Sequence, residues 1–139
     1  MQQKRIAYIF LALVIAQLMH SVEEVWFGLW RVIPPAYFIA TLFTDNAGVG
    51  FLLANLALCL FGFWCFFARV LPGKSGAKFW MAFWALIELV NGIVHPVLSV
   101  VWGIYVPGTA TAPLLLLLAA YLLGRLYFPA GFYINRISR

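Results

Sequence analysis

Charged side chains are scarce in this chain, at 9% of its 139 residues. A soluble domain carries roughly a quarter, so the shortage excludes a water-soluble globule. Acid is scarcer still: Glu23, Glu24, Asp45 and Glu88 are all there is. Only two cysteines occur, Cys59 and Cys65. Six positions apart on one predicted helix, they lie about 240° apart around its axis, so they neither pair nor share a ligand. They read as small apolar fillers. No internal repeat or low-complexity tract is present. The net charge of +5 comes from Lys and Arg scattered at the ends of apolar runs. No aromatic-lined basic face forms, which excludes a nucleic-acid partner.

What fills the chain is hydrocarbon: 65% of residues are hydrophobic and mean hydropathy is +0.99. The expected class is all-α, a polytopic membrane protein forming one domain over residues 1–139. A span needs about 20 apolar residues. Four stretches qualify, at about 6–31, 48–71, 78–103 and 112–128, predicting a four-transmembrane-helix bundle. Between the first two sits IPPAYFIATLFTDNAG, too apolar for a free loop and too broken for a span, and it is expected at the interface or re-entering the membrane. Lys4 and Arg5 before an apolar run resemble a signal peptide. No A-x-A site follows and the apolar pattern continues through Trp30, so the run is read as an uncleaved first helix.

In that arrangement Lys4, Arg5, Arg69, Lys74, Lys78, Arg125, Arg136 and Arg139 fall on one side and only Arg31 on the other. The positive-inside rule then puts both termini in the cytoplasm, with the protein in the cell (inner) membrane. The tail after Pro129, AGFYINRISR, mixes apolar and basic residues and is expected along the inner surface.

Against this background the stretch HSVEE, residues 20–24, stands out. On a helix His20 shares a face with Glu23 at i+3 and Glu24 at i+4, and Gln17 extends that face by a turn. The third span carries Glu88, Asn91 and His95 at i, i+3 and i+7, a stripe that Trp84, Ser99 and Trp102 continue. Counted from the expected outer helix ends, Glu24 lies about 10 Å down and His95 about 12 Å down. Asn55 on the second span falls at a similar depth. The three faces are therefore expected to converge in the outer half of the bilayer, walled by the first three spans. An ionisable group at mid-bilayer costs roughly 2.5 kcal/mol or more, and function is the usual reason for one. Trp26, Trp30 and Trp102 read as an ordinary interfacial belt.

Two imidazoles with two or three carboxylates suit a divalent metal, zinc or iron. His20, Glu23, Glu24 and His95 are the candidate metal ligands. Glu23, Glu24, Glu88 and Asn91 are the candidate catalytic groups. Glu23 and Glu24 differ by about 100° on the helical wheel, so one can ligate while the other orients a ligand or acts as base. H-E-x-x-H, the zinc protease motif, is absent. A metal-free acid/base pair acting on a lipid double bond and a proton relay in a small transporter are the other chemistries open to such a cluster.

His20-Ser-Val-Glu23-Glu24 resembles the pattern that names the HXXEE-domain membrane proteins. The segment NGIVHPVLSVVWGIYVPGTATAPLLLL is similar to that family as well, with Asn91, His95 and the Tyr105-x-Pro107-Gly108 turn followed by a threonine matching its recurring features. The resemblance runs from residue 20 to about 118. It implies a small multi-helix membrane protein of a family without an assigned reaction. His20, Glu23, Glu24, Asn91 and His95 are the matching positions; Glu88 rests on helical spacing alone.

Together these readings predict a membrane-embedded enzyme acting on a lipophilic small molecule or lipid, metal-assisted, with PPAYFIATLF gating access from the membrane. The alternative is a non-enzymatic lipid-binding protein or proton-coupled carrier using the same cluster. Four helices of this length bury little surface, which leaves a homodimer open.

Overall fold

Apolar runs separated by Gly, Pro and Asn punctuation fold as five α-helices in the computed structural model, which describes residues 2–128. Helix α1 covers Gln2–Phe27, α2 Pro34–Thr41, α3 Ala47–Cys65, α4 Ala77–Trp102 and α5 Ala112–Tyr127. A short 3-10 turn, Leu29–Arg31, joins α1 to α2, and a π turn, Phe66–Val70, extends α3. No strand occurs among the described residues.

Three helical stretches are long and apolar enough to cross a membrane: Lys4–Phe27, Ala47–Val70 and Ala77–Trp102. The fourth, α5, is apolar but has 16 residues. At 1.5 Å per residue it reaches about 24 Å, short of a roughly 30 Å hydrocarbon core. The first expected span, 6–31, ends early. Gly28 takes up a left-handed conformation (φ 74°) and α1 stops at Phe27, so Glu24 lies in the last turn of α1 rather than two turns down. The segment expected between the first two spans forms α2, opened by two prolines at its start and packed on α3. The expectation for the tail after Pro129 lies outside the described residues.

The four longer helices alternate in direction. Ile6, Val70, Lys78 and Leu126 line one cavity, which brings the start of α1, the α3–α4 junction and the end of α5 to one end of the bundle. The tightest pair is α4 with α5; α1 lies on α5 and on α3, while α3 and α4 touch sparingly. Helices in lipid gain little from the hydrophobic effect and depend on close packing and small residues. Here the core is Trp84, fully buried, with Phe10, Leu13 and Val14 from α1 and Leu115, Ala119 and Leu122 from α5. The π turn keeps Cys65 and Phe66 buried in the same core.

Gly92 sets the α4–α5 distance. A Cβ there would lie 2.7 Å from the Leu116 Cβ and 2.8 Å from its backbone nitrogen. Gly92→Val should therefore force the pair apart and cost about 1–3 kcal/mol, read as a lowered unfolding midpoint in detergent. Gly124→Ala, whose Cβ meets nothing within 4 Å, should leave the midpoint unchanged or raise it. Equal losses in both would show that close packing at Gly92 is not what holds the pair.

Candidate metal centre

Helical periodicity places Gln17, His20, Ser21 and Glu24 on the inward face of α1, and all four are buried. The facing side of α4 buries Glu88 and His95, with Asn91 half-buried between them. Three of these groups meet. Glu24 Oε1 lies 3.3 Å from His20 Nε2 and 3.3 Å from His95 Nε2. The two imidazoles stand edge to face, centroids 4.8 Å apart, and the three potential ligand atoms all lie within 4.8 Å of one another.

The other ring nitrogens fix the tautomers. His95 Nδ1 lies 2.7 Å from the Pro107 carbonyl oxygen, which only accepts, so Nδ1 carries the proton. His20 Nδ1 lies 2.8 Å from Thr111 Oγ1. The Thr111 hydroxyl donates its single proton to Glu23 Oε2 at 2.7 Å, so its oxygen accepts from His20 Nδ1. In both rings Nε2 is thereby turned toward the Glu24 carboxylate. Among the described residues His20 Nε2 has no hydrogen-bond partner that meets full geometry. Three potential ligand atoms thus converge.

Glu23 turns away from this triad, although its spacing made it an equal candidate ligand. Adjacent positions on a helix point about 100° apart, and Glu23 faces the turn between α4 and α5. Its Oε1 accepts from the Tyr105 hydroxyl, from Gly108 N at 2.8 Å and from Ala110 N at 3.1 Å; its Oε2 accepts from Thr111 N at 2.9 Å and from the Thr111 hydroxyl. Five donors on one carboxylate suit its ionised form, and they sit where α5 begins, the positive end of its dipole. Burial of its hydroxyl, together with the Glu23 carboxylate, pushes Tyr105 up to about 12, so it remains a donor. The same turn supplies both histidine partners. Gly108 (φ 100°) presses between the rings, where a Cβ would lie 2.6 Å from His95 Nδ1 and 2.7 Å from His20 Cε1.

Behind the triad runs a second polar chain. Gln17 donates to Glu88 Oε2 at 2.6 Å and accepts from Ser21 Oγ at 3.0 Å. Asn91 donates to Glu88 Oε2 at 3.3 Å, and the Cys59 thiol reaches Ser21 Oγ at 3.7 Å. Glu88 therefore enters the cluster through amides, with no Lys or Arg paired to it among the described residues. Asn55 lies on the other wall of a cleft of about 600 Å³, which Glu24, Asn91 and His95 also line.

Residues 11–123 match the family described as "Protein of unknown function with HXXEE motif". The chain belongs to the HXXEE family. No curated protein and no solved structure matches it. Within the HXXEE motif the geometry divides the two acids. The second joins the histidine at i+4 and the histidine of α4, while the first staples the turn that aims both rings. Periodicity found the residues on α1 and α4. It missed the roles of Tyr105, Pro107, Gly108 and Thr111, because backbone groups of a turn leave no periodic trace; the one signal was the Tyr-x-Pro-Gly turn with its threonines.

Replacing Glu23 by Gln should turn its neighbours from donors to a carboxylate into donors facing an amide donor. A lost hydrogen bond to a charged group is worth about 1.5–3 kcal/mol. Amide hydrogen exchange at Gly108, Ala110 and Thr111 should accelerate at least about 10-fold, with the α1 and α3 amides unchanged. Unaltered exchange at those three amides would remove Glu23 as the anchor of the turn.

Proposed function

We propose that this chain is a membrane-embedded enzyme that holds a divalent metal, zinc or iron, on His20, Glu24 and His95 and acts on a lipophilic small molecule. The observation that carries the reading is the meeting of three potential ligand atoms within 4.8 Å, both imidazoles held by their other nitrogen. With both rings neutral, such a buried cluster is repulsive until a cation enters it. The distances fit one. Two ligand atoms on a tetrahedral ion with bonds of about 2.0–2.1 Å stand about 3.3–3.4 Å apart, and both Glu24–histidine separations are 3.3 Å. The two imidazole nitrogens would close toward each other on binding. Thr111 and the Pro107 carbonyl would then act as the outer partners that orient ligating histidines.

Three protein ligands leave a coordination position open, where a divalent ion supplies Lewis acidity or an activated water. Asn91 and Glu24 line the cleft and would orient a bound oxygen there. Glu88, which accepts from Asn91 Nδ2 at 3.3 Å, would hold that carboxamide in place. Glu23, engaged by five donors, is assigned to positioning rather than chemistry.

The alternative is a binding protein or proton-coupled carrier. The observation favouring it is the same pair of 3.3 Å separations, which equally suits Nε2–H groups of both rings donating to Glu24. Metal content separates the two. Protein purified without chelator should hold about one divalent ion per chain, and His20→Ala, His95→Ala and Glu24→Gln should each hold about a tenth of that or less. Thr111→Val should weaken binding 10–100-fold yet fill at saturating metal. A wild-type protein carrying clearly less than one ion and gaining none on titration would pass the lead to the carrier.

The same reading sets the protein in the cell inner membrane with four spans, α5 being the fourth. Lys4, Arg5, Arg69, Lys74, Lys78 and Arg125 belong to helix ends on one side of the bundle and Arg31 to the other, which supports both termini in the cytoplasm. Reporter tags at each end should both give cytoplasmic signals; one external terminus would break the four-span arrangement.

A further inference from the structure

The cleft above the triad is open on one side of the bundle, and its lining selects among lipophilic ligands. We infer that it takes an uncharged single-chain amphiphile, head down on Asn55, Asn91 and the Glu24–histidine cluster, admitted sideways between α3 and α4 beneath α2. This rests on the lipophilic-ligand half of the proposed function and not on the metal.

The portal follows from packing. The α3–α4 contact is among the sparsest between the long helices, and residues of both helices line the cleft together with Pro35, Ala36 and Ile39 of α2. Leu58 of α3 and Ile87 and Val94 of α4 are its apolar lining between those two helices, which places the portal there. About 600 Å³ is the size of a site for one drug-sized molecule, the bulk of one chain with a small head.

The head chemistry follows from charge and hydrogen bonding. No Lys or Arg lines the cleft, so in metal-free protein a phosphate head would be buried beside the Glu24 carboxylate without a Lys or Arg counter-charge. The one acid in the lining, Glu24, has both histidine Nε2 atoms at 3.3 Å, which crowds its Oε1 against a bulky ammonium head. What remains is amide. Asn55 spends its Nδ2 on the Phe51 carbonyl at 3.1 Å, and its oxygen makes no hydrogen bond among the described residues. That oxygen calls for a donor such as a hydroxyl or amide N–H, and the facing Asn91 carboxamide, in the same lining, can donate to or accept from the same head. A long-chain alcohol, monoester or fatty amide has both features.

A dodecanol carrying a diazirine near the end of its chain tests this in full-length protein in nanodiscs. Photolabel should concentrate on peptides of α2, α3 and α4 bearing Ile39, Leu58 and Ile87. Excess unlabelled dodecanol should reduce it at least 10-fold, and in metal-stripped protein equal dodecyl phosphate or dodecyltrimethylammonium less than 2-fold. Ala54→Trp, which fills the cleft, should cut labelling of those peptides by a similar factor, with metal content measured alongside as the check on folding. Label spread evenly over the lipid-facing helices, or removed equally well by a charged competitor in metal-stripped protein, would overturn the assignment. His95→Ala separates the two readings. Labelling that survives while metal is lost keeps this ligand class. Cleft labelling absent from a metal-replete wild type ends it and leaves the metal centre standing.

Discussion

One carboxylate, that of Glu23, connects everything the site requires. It ties the end of α1 to the turn between α4 and α5 through three backbone N–H groups and two hydroxyls. That turn in turn delivers the Pro107 carbonyl to one histidine and the Thr111 hydroxyl to the other. A ring held through Nδ1 must turn its Nε2 the other way, here toward Glu24. The orientation of both imidazoles is thus decided one step away from them, by an acid that touches neither cleft nor triad.

The apolar core and the polar cluster have separate tasks. Trp84 and its neighbours hold α1, α4 and α5 together toward one end, and such packing tolerates small slides between helices. The polar cluster does not. His20, Glu24, Glu88 and His95 have partners at hydrogen-bond or near-contact distance on other elements, and a slide by one turn, about 5.4 Å, would strand all of them. Register between α1 and α4 is therefore written in the polar residues, in keeping with the specifying role that buried polar groups can play.

Much of this was legible beforehand because helices impose a period. The i, i+4 relation of His20 to Glu24 and the Glu88–Asn91–His95 stripe follow from 3.6 residues per turn, and the boundaries of α4, α5 and α3 taken with its π turn lie within a residue or two of the apolar runs. Two things were not legible. The wheel separates Glu23 from Glu24 without saying which one meets α4, since that depends on the rotation of α1 against its neighbours. Gly28 ended α1 earlier than hydropathy suggested, because the apolar pattern continues through a left-handed residue that hydropathy does not register. The share of the site built by the α4–α5 turn and the start of α5 was likewise hidden, as the expected walls were the first three spans.

The short length of α5 has a consequence for the surroundings of the protein. A 16-residue helix in a bilayer of ordinary thickness is about 6 Å too short for the hydrocarbon core. Such hydrophobic mismatch is met by drawing the surrounding lipid thinner on that flank or by submerging the helix end. The end that would submerge is the 105–111 turn, whose N–H groups are otherwise ruinous in hydrocarbon. Glu23, Ser99 and Thr109 have already taken up several of its polar groups, so with α5 as the proposed fourth span the dimple would form over a surface already relieved of much of its need for water.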